Sequence, residues 1–186
     1  ALTFYQTELE LDNILITDIK SEDALNLFNS NYVISNAVFS NTVSDAIDSD
    51  FSNFILQNSS FQNIGNDAID ASGSLGKISD VVFDNVYDKA ISGGELSELY
   101  VTNSSIINSE IGIISKDGCV LNFKDIYFSN NKLNVAAYTK KIEYPKAQIF
   151  SKDNVQNFLF ENNVITNISE KRVEDVYSLM YGKEYG

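Results

Sequence analysis

The sequence predicts an all-β protein: a right-handed, single-stranded parallel β-helix of about seven 22-residue rungs with a C-terminal capping helix. Three observations lead to this fold class. Small residues recur every 22 positions, Asn and Asp residues recur with nearly the same step, and short alternating runs lie between them. The small residues are Ala24, Ala46, Ala68, Ala90 and Gly112. Self-similarity at a fixed period is typical of solenoids, and parallel crossovers strongly favour the right hand.

The polar columns predict the corners of the rungs. An Asn or Asp side chain tolerates left-handed backbone geometry and hydrogen-bonds neighbouring backbone groups, so both residues favour tight bends. One column contains Asn13, Asn36, Asn58, Asp80, Asn103 and Asp125, and the other contains Asp18, Asn41, Asn63, Asn85, Asn108 and Asn130.

Between the corners, runs with period two predict short strands with one buried face. Equivalent residues of successive rungs then stack about 4.8 Å apart. We expect two internal ladders, one aliphatic and one mainly aromatic. They are Leu25, Ile47, Ile69, Ile91 and Ile113, and Phe39, Phe61, Phe83, Ile106 and Phe128.

The period fails after Thr139, where Asn130 and Asn167 lie 37 residues apart. We interpret the excess as a loop that includes residues 138–146; the alternative for a part of it is an irregular rung. The solenoid is expected over residues 1–168. Residues 169–186 change to a helical spacing that predicts the cap. The chain is expected to be a fragment of a longer protein whose uncapped N-terminal end can self-associate.

Charge limits the function classes. The chain of 186 residues has 26 acidic and 13 basic residues and no histidine. This net charge of −13 disfavours binding to nucleic acid, which needs a basic surface. A His-assisted triad or His-ligated metal is excluded. No apolar run is long enough to insert in a membrane.

Stacked acidic residues form the main candidate site. Asp45, Asp48, Asp50, Asp67 and Asp70 are predicted on one outer face of adjoining rungs. Carboxylates about 5 Å apart repel each other and need a counter-ion, a raised pKa or solvation. One hypothesis is a Ca²⁺ site or a catalytic acid/base pair. The other is a solvated polar face that keeps the sheet soluble.

Lysines follow the acids on the same predicted face. Lys89 either neutralises Asp67 or acts as the base in a β-elimination, with Lys116 beside it. The catalytic candidates are therefore Asp48, Asp70, Lys89 and Lys116.

Glu95 and the loop supply the binding candidates. Lys140 and Lys141 either bind an anionic glycan or keep the loop solvated. Tyr138 and Tyr144 either stack on sugar rings or pack the loop against the solenoid.

The repeats also resemble a known superfamily. Residues 45–52, 88–95 and 111–118, followed by Ala136-Ala137-Tyr138-Thr139-Lys140-Lys141, are similar to repeat regions of bacterial envelope or secreted proteins within the pectate-lyase-like right-handed β-helix superfamily. The resemblance implies the fold and an extracellular or cell-envelope setting, but no single reaction. The arginine base typical of pectate lyases is absent from the rungs, because the one arginine is Arg172.

The expected function is therefore a carbohydrate-interacting module that binds a polysaccharide, with Ca²⁺ as a candidate cofactor. The alternative is a polysaccharide lyase or epimerase acting on uronate glycans. A second alternative is a structural spacer or adhesin stalk.

Overall fold

The computed structural model describes residues 1–168, which form twenty β-strands. The first ten strands are β1 Leu2–Tyr5, β2 Glu8–Asp12, β3 Leu15–Thr17, β4 Asp23–Phe28, β5 Asn31–Ser35, β6 Val38–Thr42, β7 Asp45–Asp50, β8 Asn53–Gln57, β9 Ser60–Ile64 and β10 Ile69–Ser72. The next ten are β11 Leu75–Ser79, β12 Val82–Val86, β13 Lys89–Gly94, β14 Glu98–Ile107, β15 Ile111–Lys116, β16 Val120–Ser129, β17 Leu133–Tyr138, β18 Gln148–Ser151, β19 Phe158–Phe160 and β20 Ile165–Thr166.

Every strand pair is parallel, and the chain makes about seven solenoid turns. Sheet A contains the eight strands β1, β4, β7, β10, β13, β15, β17 and β19, in that order. A second sheet of twelve strands folds over two further faces. Its bend runs through β14 and β16, which continue from one face to the next. The prediction of an all-β parallel solenoid is confirmed, while the predicted C-terminal helix at residues 169–186 lies outside the described residues.

The two predicted corner columns are confirmed. All twelve of their residues have a positive φ, from 48° at Asn103 to 61° at Asn85. Their side chains also bond across turns, as when Asn63 donates to Asn41 over 3.0 Å and Asn85 donates to Asn63 over 2.8 Å. A third corner, which the sequence did not reveal, contains Asn29 and Phe51 with positive φ.

The predicted ladders form the core. Leu25 pairs in register with Ile47 in sheet A, and Ile47 pairs with Ile69, all buried. The ring centroids of Phe39 and Phe61 lie 4.8 Å apart with nearly parallel planes. This stacking buries large apolar area in every turn and makes the ladders a main source of stability.

The last turn is shorter than the spacing of Asn130 and Asn167 predicted. Val135 pairs with Phe158, so that turn has 23 residues, and Asn130 and Asn167 are not equivalent corners. The loop itself covers residues 139–147, between β17 and β18. Tyr138 is not in the loop, because it is the last residue of β17. Over residues 1–168, no helix is long and apolar enough to cross a membrane.

The corner geometry can be tested at Asn63, which has a φ of 55°. Asn63→Ala should lower the free energy of unfolding by about 1–2 kcal/mol, because left-handed geometry strains alanine and two amide hydrogen bonds are lost. Asn63→Gly loses the same bonds without the strain and should keep about 1 kcal/mol more stability. Urea unfolding checks this, and equal losses would contradict the role given to the left-handed backbone.

Candidate functional site

The candidate site is the outer surface of sheet A, where strand register stacks outward residues into columns. Asp48 pairs with Asp70, and Asp70 pairs with Ser92. Ser92 in turn pairs with Ile114. The surface therefore changes along the solenoid axis from acidic to polar to apolar.

Two further columns flank this central one and show the same change. One runs from Asp45 past Asp67 to Lys89, and the backbone N–H groups of Asp67 and Lys89 each donate to the carboxylate one turn earlier, over 2.8 and 3.0 Å. The other continues from Asp50 to Ser72 on β10 and Gly94 on β13. Lys116 follows on β15, because its Cε lies 3.8 Å from the position that a Gly94 Cβ would take. The structure thus brings the five predicted acids and both catalytic lysine candidates onto one surface.

Burial makes several of these carboxyl groups hold their protons. Burial, followed by the charge of Asp67, raises the pKa of Asp45 to about 8. Burial and the charges of Asp50 and Asp70 raise the pKa of Asp48 to about 7, and the pKa of Asp50 is raised for similar reasons. At neutral pH a large share of Asp45 and Asp48 is therefore protonated and can donate a hydrogen bond.

The lysines are held in their charged form instead. Burial by itself lowers the pKa of Lys89, but Asp67 and Asp88 more than reverse this and raise it above its ordinary value. Lys89 lies 3.2 Å from Asp67 and also contacts Asp88, with its side chain almost fully buried. The pKa of Lys116 is raised mainly by Asp70, again against the effect of burial. The interpretation of Lys89 as the counter-ion of Asp67 agrees with this geometry.

The loop is tied to this surface by two acids. The buried Asp117 accepts the backbone N–H groups of Lys140 and Lys141, each over 2.7 Å. The amino group of Lys141 contacts Glu95, which also accepts a hydrogen bond from Ser72. The loop therefore places Lys141 beside the acidic columns.

The two predicted tyrosines differ in position. Tyr144 lies in the loop, with the Lys141 amino group 6.0 Å from its ring centre. Tyr138 is buried in an outer apolar cluster on sheet A. That cluster consists of Ile111, Ile114, Ala136 and Tyr138, with Leu133 and Leu159 packed against it. The sequence analysis missed this cluster, although its members follow the acids at the same 22-residue step.

Aromatic residues at the N-terminal end of the surface were also missed. Tyr5 and Phe28 stack with centroids 5.5 Å apart, and Phe28 meets Phe51 edge to face at 5.5 Å. Phe28 pairs in register with Asp50, so the rings adjoin the carboxyl groups. The period-two pattern of β1 and β4 could have predicted the stacked pair, because Tyr5 and Phe28 both fall at outward positions of their strands.

Two other features bear on the chemistry. No group of three or more Cys, Asp or Glu side chains within residues 1–168 is arranged to hold a metal ion. A cavity of about 610 Å³ lies on a different face, over β2, β5, β8 and β11, where Val33 and Ile55 are flanked by Glu8, Glu10 and Lys77. It shares no residue with the acidic surface.

The raised pKa values predict how stability depends on pH. Asp48 has its ordinary pKa of 3.8 when unfolded and about 7 when folded, so between these values the folded protein binds the extra proton. The free energy of unfolding should therefore fall as pH rises from about 4 to about 8. Asp48→Asn should be more stable than the wild type at pH 8.5 and similar to it at pH 4. Urea unfolding across this range measures both, and a wild-type stability that rises with pH would contradict the assignment.

Comparison of the chain with protein-family models, curated proteins and solved structures found no match. The strand topology supports the resemblance of the repeats at the level of a parallel β-solenoid of about seven turns.

Proposed function

We propose that the protein is a carbohydrate-binding β-solenoid module and that a polysaccharide lies along the outer surface of sheet A. The observation that carries this proposal is the row of aromatic rings beside stacked carboxyl groups. Tyr5 and Phe51 are each about 60% exposed, at 63% and 59%, and Phe28 joins them to Asp50.

This combination matches the chemistry of a sugar. A sugar ring has apolar C–H faces that pack on aromatic side chains, while its hydroxyl groups point outward along the ring edge. Ionised carboxylates accept strong hydrogen bonds from such hydroxyls, and a protonated carboxyl at Asp48 can also donate one. Because successive strands lie about 4.8 Å apart, a long polymer along the axis meets the aromatic rings, the carboxyl groups and the polar groups in turn.

The proposal also includes the handedness of the solenoid, its setting and its self-association. We assign the solenoid a right-handed coil, because parallel crossovers are right-handed in almost all known cases. The setting we propose is the cell envelope or the extracellular space, as the resemblance to the pectate-lyase-like superfamily implies. Self-association through the N-terminal edge strands β1, β2 and β3 stays a prediction.

A second candidate is an enzyme acting on uronate glycans, as a lyase or epimerase. The specific observation in its favour is the pKa of Asp48, which lies near 7 and suits a general acid. Lys89 and Lys116 do not suit the role of base, because their neighbours raise the pKa of both amino groups. An amine must be neutral to accept a proton, so an enzyme on this surface would have to use a carboxylate as its base.

Binding is tested with immobilised polysaccharides from the neutral, amino-sugar and uronate classes. The wild type should be retained by at least one class, and Phe51→Asn should weaken retention about three- to tenfold by removing a stacking ring. Asparagine suits this position, because Asn29 occupies the same corner one turn earlier with positive φ. Tyr127→Ala, at an exposed ring on another face, is the matched control and should bind normally. A wild type that no polysaccharide retains would refute the proposal.

Calcium remains a candidate cofactor that can be tested separately. Because Asp45 and Asp48 hold protons at neutral pH, a metal must displace them, and any Ca²⁺ affinity should rise between pH 6 and pH 9. Calorimetric titration of chelator-treated protein measures this. Saturable binding that disappears in Asp48→Asn/Asp70→Asn would place calcium on the acidic columns. Binding that survives in the double variant would show that calcium, where it binds, binds elsewhere.

A further inference from the structure

The middle of the outer surface contains polar groups that the described part of the chain leaves without partners. The side chain of Ser92 is fully buried, and its hydroxyl has no hydrogen-bond partner among residues 1–168. The same holds for the buried Oδ1 of Asp70, which is the register partner of Ser92 on β10.

Lys116 completes this group. Its Cε lies 3.8 Å from the position that a Gly94 Cβ would take, and Asp70 is the nearby charge that most raises its pKa. Within the described residues, its amino group forms no direct ion pair with Asp70. This part of the surface therefore contains an acceptor at Asp70, a hydroxyl at Ser92 and a cationic donor at Lys116, with no hydrogen bond or ion pair between these three described residues.

Neighbouring polar groups on the same surface are paired, which sets these three apart. Asp48 accepts a hydrogen bond from Asn26 over 2.9 Å. Asp67 is paired with Lys89, and Glu95 with Lys141. Buried polar groups in folded proteins almost always have partners, and residues 1–168 supply none for the Ser92 hydroxyl or for Oδ1 of Asp70, so we expect a partner from beyond these residues.

We propose that Asp70, Ser92 and Lys116 form a subsite for a neutral, hydroxyl-bearing sugar residue that excludes uronates, a specificity that rests on the proposed carbohydrate binding. A sugar hydroxyl donates to the Asp70 carboxylate and accepts from the Lys116 amino group at the same time. The Ser92 hydroxyl donates to, or accepts from, the adjacent sugar hydroxyl. The Asp70 and Lys116 side chains are partly exposed, so the sugar approaches them from solvent, and a shift of these two side chains opens Oδ1 of Asp70 and the buried Ser92 hydroxyl to it.

A uronate fits these groups poorly. Its carboxylate can accept from Lys116 and Ser92 but cannot donate to Asp70, whose oxygen stays unpaired. It also adds a negative charge beside Asp50, Asp67 and Asp70, and the nearby Lys89 is already paired with Asp67 and Asp88. Like charges at close range on a partly buried surface repel each other strongly. The surface therefore selects hydroxyl groups over carboxylates.

The test uses soluble neutral oligosaccharides (xylo-, manno- and cello-series) and oligogalacturonates of matched length, with affinities measured by calorimetry. The wild type should bind a neutral series at least tenfold more tightly than the oligogalacturonates. Asp70→Asn, Ser92→Ala and Lys116→Met should each weaken that neutral series roughly tenfold. The matched controls on other faces or corners are Asp80→Asn, Ser60→Ala and Lys77→Met, which should bind like the wild type.

Stability separates this role from a structural one. Removing an unpaired buried hydroxyl should leave the thermal stability of Ser92→Ala unchanged or higher, while binding falls. A Ser92→Ala protein that is less stable but binds normally would mean that the hydroxyl serves the fold, with an internal water as partner, and would overturn the subsite. Tighter binding of oligogalacturonates would overturn the specificity but keep the proposed function. Binding of neither class here, nor of any immobilised polysaccharide, would refute both.

Discussion

Each turn must return to the register of the turn before it, because parallel strands on every face hydrogen-bond to the next turn. Buried serines at the corners serve this constraint. The Ser52 hydroxyl accepts the N–H of Ser30 over 3.0 Å, and the N–H of Ser52 donates to the Ser74 hydroxyl over the same distance. The same bond joins the N–H of Ser74 to the Ser97 hydroxyl over 3.1 Å across 23 residues, so an extra residue is accommodated at a corner while the strands keep their register. The corners use residues that accept left-handed geometry, which keeps the bends tight.

The same constraint determines the chemistry of the surface. Because residues 22 positions apart are stacked, like charges in successive repeats must lie next to each other. The protein resolves this repulsion in two ways. Asp45 and Asp48 have raised pKa values and hold protons, whereas Asp67 lies against the cationic Lys89. Residues of successive repeats lie next to each other, so the change from acidic to basic to apolar residues along the axis follows the order of the repeats in the sequence.

The 22-residue period determined how much of the structure could be predicted from the sequence. The period identifies which residues stack, and parity identifies which side of a strand they face, so the ladders, corners and acidic columns were predictable. Neither reveals what covers an outward residue. Tyr138 was placed in a loop because the period fails just after it, although the structure has it buried at the end of a strand. The missing partners of Ser92 were likewise invisible, since they depend on every neighbour in space.

The protonation states together argue for recognition before catalysis. An elimination beside a uronate carboxyl needs an unprotonated base and a cation that stabilises the new negative charge. Here the amino groups of Lys89 and Lys116 are cationic, Lys89 is paired with Asp67, and a large share of Asp48 is protonated at neutral pH. Such a surface offers donors and acceptors that sugar hydroxyls can satisfy, and its extent over several strands along the axis favours a polymer over a single small molecule. An elimination site would need an unprotonated amine or an ionised carboxylate as its base, and the stacking of the repeats instead keeps the lysines cationic and much of Asp48 protonated.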